Sequence, residues 1–396
     1  MSAPLFGYCY NKSKNAKGPI VVGYSICVAG NILMCCVENL AEFDRRWLLL
    51  LARLVTGIGC GASGVMLAYM AHSTTNEERI KVMTLQSAVL SFGVLIGPGL
   101  QTLFVPVGYP GYTFMRLFLN MYTMPAILCS FLAILGIVLS VICCKEYNVS
   151  VEKSYDNGES ITYDKVAAFT CLVPRFLVLF GIIYDDSIGS SLAMIMFEWT
   201  PKQTVLYKGI LQSLSAFLDF GGNMFVGYVL LKHLMERTTM LLACGFVLLF
   251  YLISFSWPGM PPLLQESLNE TQSEMTLFYH AGCKFDWCSY TTKVGLVQYI
   301  TAFVFMVSAF PLGFTPSATL YSKIFGPVRQ GTKQGLFVAV ESLSMIIGPL
   351  FVSSSFERFG PRVSWGAGIA LVLICSAVVC YNYQRLVPHK QYYTKS

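Results

Sequence analysis

The stretch that most limits what this chain can become is Leu85–Gln101, LQSAVLSFGVLIGPGLQ, almost wholly apolar yet carrying Gly93, Gly97, Pro98 and Gly99. At about 1.5 Å per residue it makes roughly 25 Å of helix. In a soluble core helix that glycine and proline content costs several kcal/mol, about 1 for each Gly and 3 for each Pro. In a bilayer it is tolerated, because neighbouring helices satisfy the freed backbone groups and small residues let backbones approach. Gly335–Leu350 repeats the pattern, with Gly348-Pro349 where the first stretch has Gly97-Pro98. Two apolar helices with a matching Gly-Pro break point to an internal repeat, a construction used by secondary transporters.

Further apolar runs extend the reading to the whole chain. They fall at about 19–40, 47–70, 82–105, 118–144, 166–195, 203–231, 238–257, 293–316, 334–355 and 363–384. Each is near or above the roughly 20 residues that span a hydrocarbon core. The fold expected is an all-α membrane protein with about ten transmembrane helices. With 55% hydrophobic and only 12% charged residues, the chain is far from the roughly 25% charged content of soluble domains. The net charge of +6 is small and its Lys and Arg are scattered, so nucleic acid is not an expected partner; the lipid bilayer is.

An even number of spans puts both termini on one side. Sixteen Lys and Arg, among them Lys12, Lys81, Lys232, Lys333 and Arg385, fall on that side, against eight, such as Arg45, Lys202 and Arg362, on the other. That bias assigns the termini to the cytosol. Four divisions follow: 1–144, a four-helix N-terminal half; 145–165, a cytosolic linker; 166–384, a six-helix C-terminal half with a luminal loop at 258–292; and 385–396, a cytosolic tail. The luminal loop holds the sequon Asn269-Glu-Thr271, where glycosylation is expected. It also holds Cys283 and Cys288, for which a disulfide is the expected state on that face. A zinc site there is the weaker reading, since only His280 lies close.

Enzyme chemistry finds little support. Gly326–Lys333 resembles a phosphate-binding loop, but Thr332 and Lys333 stand in the wrong order and no strand precedes them. There is no His-Glu-x-x-His or Gly-x-Ser-x-Gly, and the chain has only four His. No catalytic residue, cofactor or metal is expected. Ionisable residues inside apolar runs are the functional candidates instead, at about 2.5–3.5 kcal/mol each near mid-helix. They are Arg53, Arg175, Asp185, Asp186 and Asp219, and they mark an expected pathway for a small-molecule or ion substrate. For Arg53 the open partners are Glu38, Asp185, Asp186 or a transported anion, with Gly57, Gly59, Gly61 and Gly64 expected to clear space around it. Glu341 reads as a bond to a neighbouring helix. In the tail, Tyr383-Gln-Arg-Leu386 has the Tyr-x-x-apolar form read by clathrin adaptors. Its competing reading is an interfacial Tyr beside an anchoring Arg.

Several motifs carry a family resemblance. Gly7-Tyr-Cys-Tyr-Asn11-Lys12 resembles the Gly-x-x-x-Asp-Arg loop of the major facilitator superfamily, with Asn for Asp and Lys for Arg. Arg53-Leu-Val-Thr-Gly57 resembles its helix-4 motif, and Gly97-Pro98 its helix-5 motif. In this register the ten helices match numbers 3 to 12 of a twelve-helix bundle, with the first two not in the chain. Leu119-Asn-Met-Tyr-Thr-x-Pro125, Trp287-Cys288 and Tyr321-Ser-Lys-Ile-x-Gly-Pro327 are similar to the lysosomal domain-containing protein 8 branch. The resemblance implies a carrier or channel of the lysosomal or late endosomal membrane, with an anion such as chloride a candidate. Conformational roles are implied for Gly7, Lys12, Gly57, Gly93, Gly97, Pro98, Gly348 and Pro349. The rival reading is a transport-incompetent truncated isoform or a membrane scaffold.

Overall fold

The structure is a computed structural model that describes residues 2–39, 42–108, 111–114, 117–144, 163–257, 285–289, 291–326 and 330–388. A short helix, α1 (Ala3–Ser13), leads into α2 (Lys17–Cys35), and one span is made of α3 (Glu42–Cys60) and α4 (Ser63–Ser73). Then come α5 (Asn76–Leu103) and α6 (Thr123–Cys143), which complete the first half. The second half holds α7 (Lys165–Phe197), α8 (Pro201–Phe225, continued through a π-helical turn to His233), α9 (Glu236–Ser254), α10 (Leu296–Phe325) and α11 (Gly331–Tyr381). Among the described residues nine helical stretches are long and apolar enough to cross a membrane. The last, α11, runs 51 residues and contains one break, at Gly360, so it counts as two spans and the total is ten, as expected.

Helix starts follow local chemistry. Asp164 caps α7, its carboxylate accepting from the amides of Val166 at 2.8 Å and Ala167 at 3.2 Å. Before α8, Thr200 and Gln203 exchange side-chain and backbone bonds in a capping box ahead of Pro201, satisfying amides that have no partner inside the helix. The expected break at Gly97-Pro98 does not form: α5 is helical through to Leu103. α11 likewise passes Gly348-Pro349 unbroken and turns at Gly360, where φ is 78°. A Cβ on Gly360 would stand 2.6 Å from Cγ of Trp287, so glycine is the residue that fits at the break. Proline inside a membrane helix is absorbed by its neighbours, whereas a positive φ is not open to most side chains.

Between α5 and α6 the chain makes an antiparallel pair, Tyr112–Phe114 with Leu117–Leu119, in the register Tyr112 to Leu119. Its second strand takes the first residues of the run expected as a span over 118–144, so the helix there starts later, at Thr123. Its base is fixed by Asn120, which is fully buried; its Oδ1 accepts from the amides of Tyr122 and Thr123 at the start of α6.

Packing differs between the halves. In the first, α2 meets α3 at small residues: a Cβ on Gly23 would lie 2.3 Å from that of Ala62, and one on Gly59 would lie 2.6 Å from Sγ of Cys27. The second half has the larger core, built from α7, α9, α10 and α11 around Tyr184, Tyr251, Trp287 and Trp365. The first and last described segments lie at one end, called the terminal end below. There α1 packs on the start of α11, and Arg385 lies 3.7 Å from Asp164 at the start of α7.

Candidate functional site

At the terminal end the halves meet through backbone. Gly7 approaches so closely that a Cβ would lie 2.1 Å from the carbonyl oxygen of Gly331, and Gly64 stands similarly near Gly335. Asn11 then caps α11: its Oδ1 accepts from the amide of Gly331 at 2.9 Å, and its Nδ2 donates to Oγ1 of Thr332 at 3.0 Å. The first amides of a helix lack internal partners and favour an oxygen acceptor. Lys12, the charged member of the motif, is exposed. Asn11 was readable as the position where Asp is replaced, but the sequence reading gave the role to its neighbours.

A second seam joins α5 to α8 nearer the middle of the bundle. Oγ of Ser91 lies 3.0 Å from Oδ2 of Asp219, and Asn223 donates to Oγ of Ser91 at 3.2 Å. Thr315 of α10 donates to Oδ1 of Asn223 at 2.9 Å. Asn223, Ser91 and Thr315 are buried, and Oδ1 of Asp219 is buried with no hydrogen-bond partner. Toward the terminal end, Thr84 fills the space beside Gly227, where a Cβ would come within 1.9 Å of its Oγ1. Farther along α5, Gly93 and Gly97 face open space.

Most other intramembrane charges are neutralised inside the second half. Arg175 is buried; its Nε donates to Oε1 of Glu341 at 2.7 Å, its Nη2 bonds the same oxygen, and its Nη1 donates to the carbonyl of Phe314 at 2.8 Å. The guanidinium also stacks on Phe314 and Phe337. One side chain thereby ties α7 to α10 and α11. Glu341 does bond a neighbouring helix. Lys208, buried on α8, lies 2.5 Å from Oδ2 of Asp185 on α7 and donates to the hydroxyl of Tyr299 on α10 at 3.3 Å. Tyr299 in turn donates to Oδ1 of Asp185 at 3.0 Å. Asp186 is exposed and accepts from Gln212 at 3.4 Å.

Arg53 stands apart. It is exposed on α3 and lines a cleft of about 110 Å³ between α2, α3 and α6, beside Asn31, Thr56 and Tyr122. Its expected protein partners are engaged elsewhere: Glu38 accepts from Asn120 at 2.7 Å, and Asp185 holds Lys208. Among the described residues no carboxylate pairs with it. Of the glycines expected to clear space for it, only Gly57 faces open space; Gly59 packs on α2, Gly61 on α1 and Gly64 on α11. They are helix-contact glycines, which let backbones approach. Gly348 has the same use, with a Cβ 2.7 Å from Cγ2 of Ile183.

In the tail, the Tyr383 hydroxyl bonds Thr238 at 2.8 Å, Arg237 stacks 4.4 Å above its ring, and Leu386 is buried. An adaptor would have to release both side chains. Cys288 is disulfide-bonded, while its expected partner Cys283 and the sequon Asn269 lie outside the described residues, as does most of the 145–165 linker.

Comparison with known proteins matches this arrangement. A family model described as Major Facilitator Superfamily matches residues 1–269. Major facilitator superfamily domain-containing protein 8 of Xenopus laevis is 29% identical over 432 residues, spanning 100% of this chain and 83% of the frog protein. The crystal structure of the human organic anion transporter MFSD10 (TETRAN) superposes with a TM-score of 0.68 at 14% identity, covering 95% of this chain and 80% of that one. The proton:xylose symporter XylE, bound to 6-bromo-6-deoxy-D-glucose, does so at 0.63 and 12%, covering 98% and 83%. The Escherichia coli fucose:proton symporter FucP gives 0.60 and 15%, covering 97% and 87%. At these identities the solved structures speak to the fold.

Proposed function

The chain belongs to the major facilitator superfamily, and from that premise we propose that it carries a small solute or ion across the endolysosomal membrane, with an anion such as chloride the first candidate. The observation that carries the reading is Arg53. A guanidinium keeps its charge at any physiological pH, and a charge at membrane depth is costly without a counter-charge. Arg175 and Lys208 have theirs; Arg53 has a cleft with Asn31, Thr56 and Tyr122 instead. An anion that enters this cleft supplies the missing charge. The description of MFSD10 as an organic anion transporter supports the class, and the resemblance to the lysosomal branch supports the membrane.

Movement fits the two contact regions. Gly7 on Gly331 and Thr84 beside Gly227 close the terminal end, and we read this as one of the two states between which the halves rock. With the termini cytosolic, the cleft beside Arg53 faces the lumen. Purified protein in vesicles holding a halide-sensitive dye tests the reading. Anion entry well above that of empty vesicles is expected. Entry no faster than in empty vesicles, across inorganic and small organic anions, refutes it in favour of a scaffold.

A further inference from the structure

We propose that Asp219 is a proton-binding site in the seam between the two halves, loaded when α5 and α8 meet and emptied when they part. As a statement about coupling this rests on the transport reading; as a statement about proton binding it rests on the seam alone.

Hydrogen counting carries the inference. Ser91 Oγ has three partners: the carbonyl of Ser87 at 3.1 Å, Oδ2 of Asp219 at 3.0 Å and Nδ2 of Asn223 at 3.2 Å. A hydroxyl owns one hydrogen and two lone pairs. The amide of Asn223 is oriented by Thr315, which donates to its Oδ1, so Nδ2 fills one lone pair of Ser91. Two acceptors then remain for a single hydrogen if Asp219 is ionised. The carboxylate would be left with at most one neutral hydrogen bond, its Oδ1 being buried and unpartnered. A buried charge in that position is expensive. With a proton on Oδ2 the set closes. Asp219 donates to the second lone pair of Ser91, and Ser91 gives its hydrogen to the Ser87 carbonyl.

No neighbouring charge offsets the carboxylate. α5 carries no ionisable side chain from Val82 to Leu103. α10 offers Tyr299, which bonds Asp185, Tyr321, which donates to the Lys333 carbonyl, and Lys323, which is held by Glu236. On α7, Arg175 is held by Glu341, and Asp185 by Lys208, while Asp186 bonds Gln212. Lys208 and Lys232, the nearest lysines in sequence on the same helical run, stand 11 and 13 residues away, and Lys202 and His233 stand farther, all three turns or more.

Because Ser91 belongs to one half and Asp219, Asn223 and Thr315 to the other, separating the halves removes the hydroxyl and admits water, which solvates the ionised form. Acid therefore favours the closed seam. The test uses the full chain in lipid nanodiscs and infrared difference spectra of wild type against Asp219→Asn. The expected result is a protonated-carboxyl C=O band at neutral pH, present in wild type, absent in Asp219→Asn and retained in Asp185→Asn. A spectrum without that band at neutral pH overturns the proposal. Should Asp219→Asn fail to fold, Asp219→Glu must shift the band and Ser91→Ala must move it to higher frequency; an unmoved band overturns the seam assignment. A wild-type chain that shows the band but no flux refutes transport and leaves the proton site standing, whereas flux without the band refutes the proton site alone.

Discussion

The two halves are built from the same apolar material and treat charge in opposite ways. After Asp164, Arg175, Lys208, Lys293 and Lys323 each meet a carboxylate. Before Cys144, Arg53 meets none among the described residues. Burial is deepest at α7, where 72% of the most apolar stretch lies within the protein, against 17% in α6, although α8 of the second half is only 22% buried. A permanent charge in a membrane protein has two uses, as a brace between helices or as a waiting counter-charge. The second half shows the brace, and Arg53 is read as the other.

The comparison breaks first, if it breaks, at Arg175. Glu341→Ala leaves a buried guanidinium unpaired and should cost about 3–5 kcal/mol, while Arg175→Met combined with Glu341→Met should recover most of it. Thermal unfolding in detergent, with the folded yield from size exclusion, measures both. A small loss from Glu341→Ala would mean the second half is not braced there. Lys208→Met should cost less, about 2–3 kcal/mol, because Tyr299 still donates to Asp185. Gly360→Ala meets both a φ of 78° and the Trp287 ring. About 1–3 kcal/mol is expected from strain of this kind, read as a lowered melting temperature. Asn11→Asp is the smallest change and has the opposite sign. A carboxylate at the start of α11 should strengthen the terminal-end contact by about 0.3–1 kcal/mol. Slower proteolysis of the 1–18 segment should report it.

Spans were legible because a run of some 20 apolar residues has few other fates. The caps at Asp164 and Thr200 rest on equally local chemistry, but they were not among the expectations. What the sequence hid depends on distant partners. The break in α11 does fall between the expected runs 334–355 and 363–384, but that it turns on Gly360, with the ring of distant Trp287 against it, could not be read locally. Arg175 and Glu341 are 166 positions apart, so the sequence offered two candidate charges and no pairing. Gly59, Gly61 and Gly64 were assigned to Arg53 by helical spacing alone, which does not tell what lies across each face. The Asp219 seam had a fainter signal: Thr84, Ser87 and Ser91 recur at helical spacing on α5, and Asp219 and Asn223 on α8. Small polar side chains on one face of an apolar helix mark an interface, and only the acid was singled out.

Arg53 decides the central claim, because its removal should leave stability nearly untouched and abolish function. The measurement is anion flux into vesicles containing equal amounts of folded wild type, Arg53→Lys or Arg53→Gln. With an anion as the partner, Arg53→Lys keeps part of the flux because the charge remains, and Arg53→Gln falls to the level of empty vesicles while its melting temperature stays within about 2 °C of wild type, the small shift expected where no paired charge is lost. Wild-type flux from well-folded Arg53→Gln would contradict the account and return Arg53 to an ordinary exposed side chain.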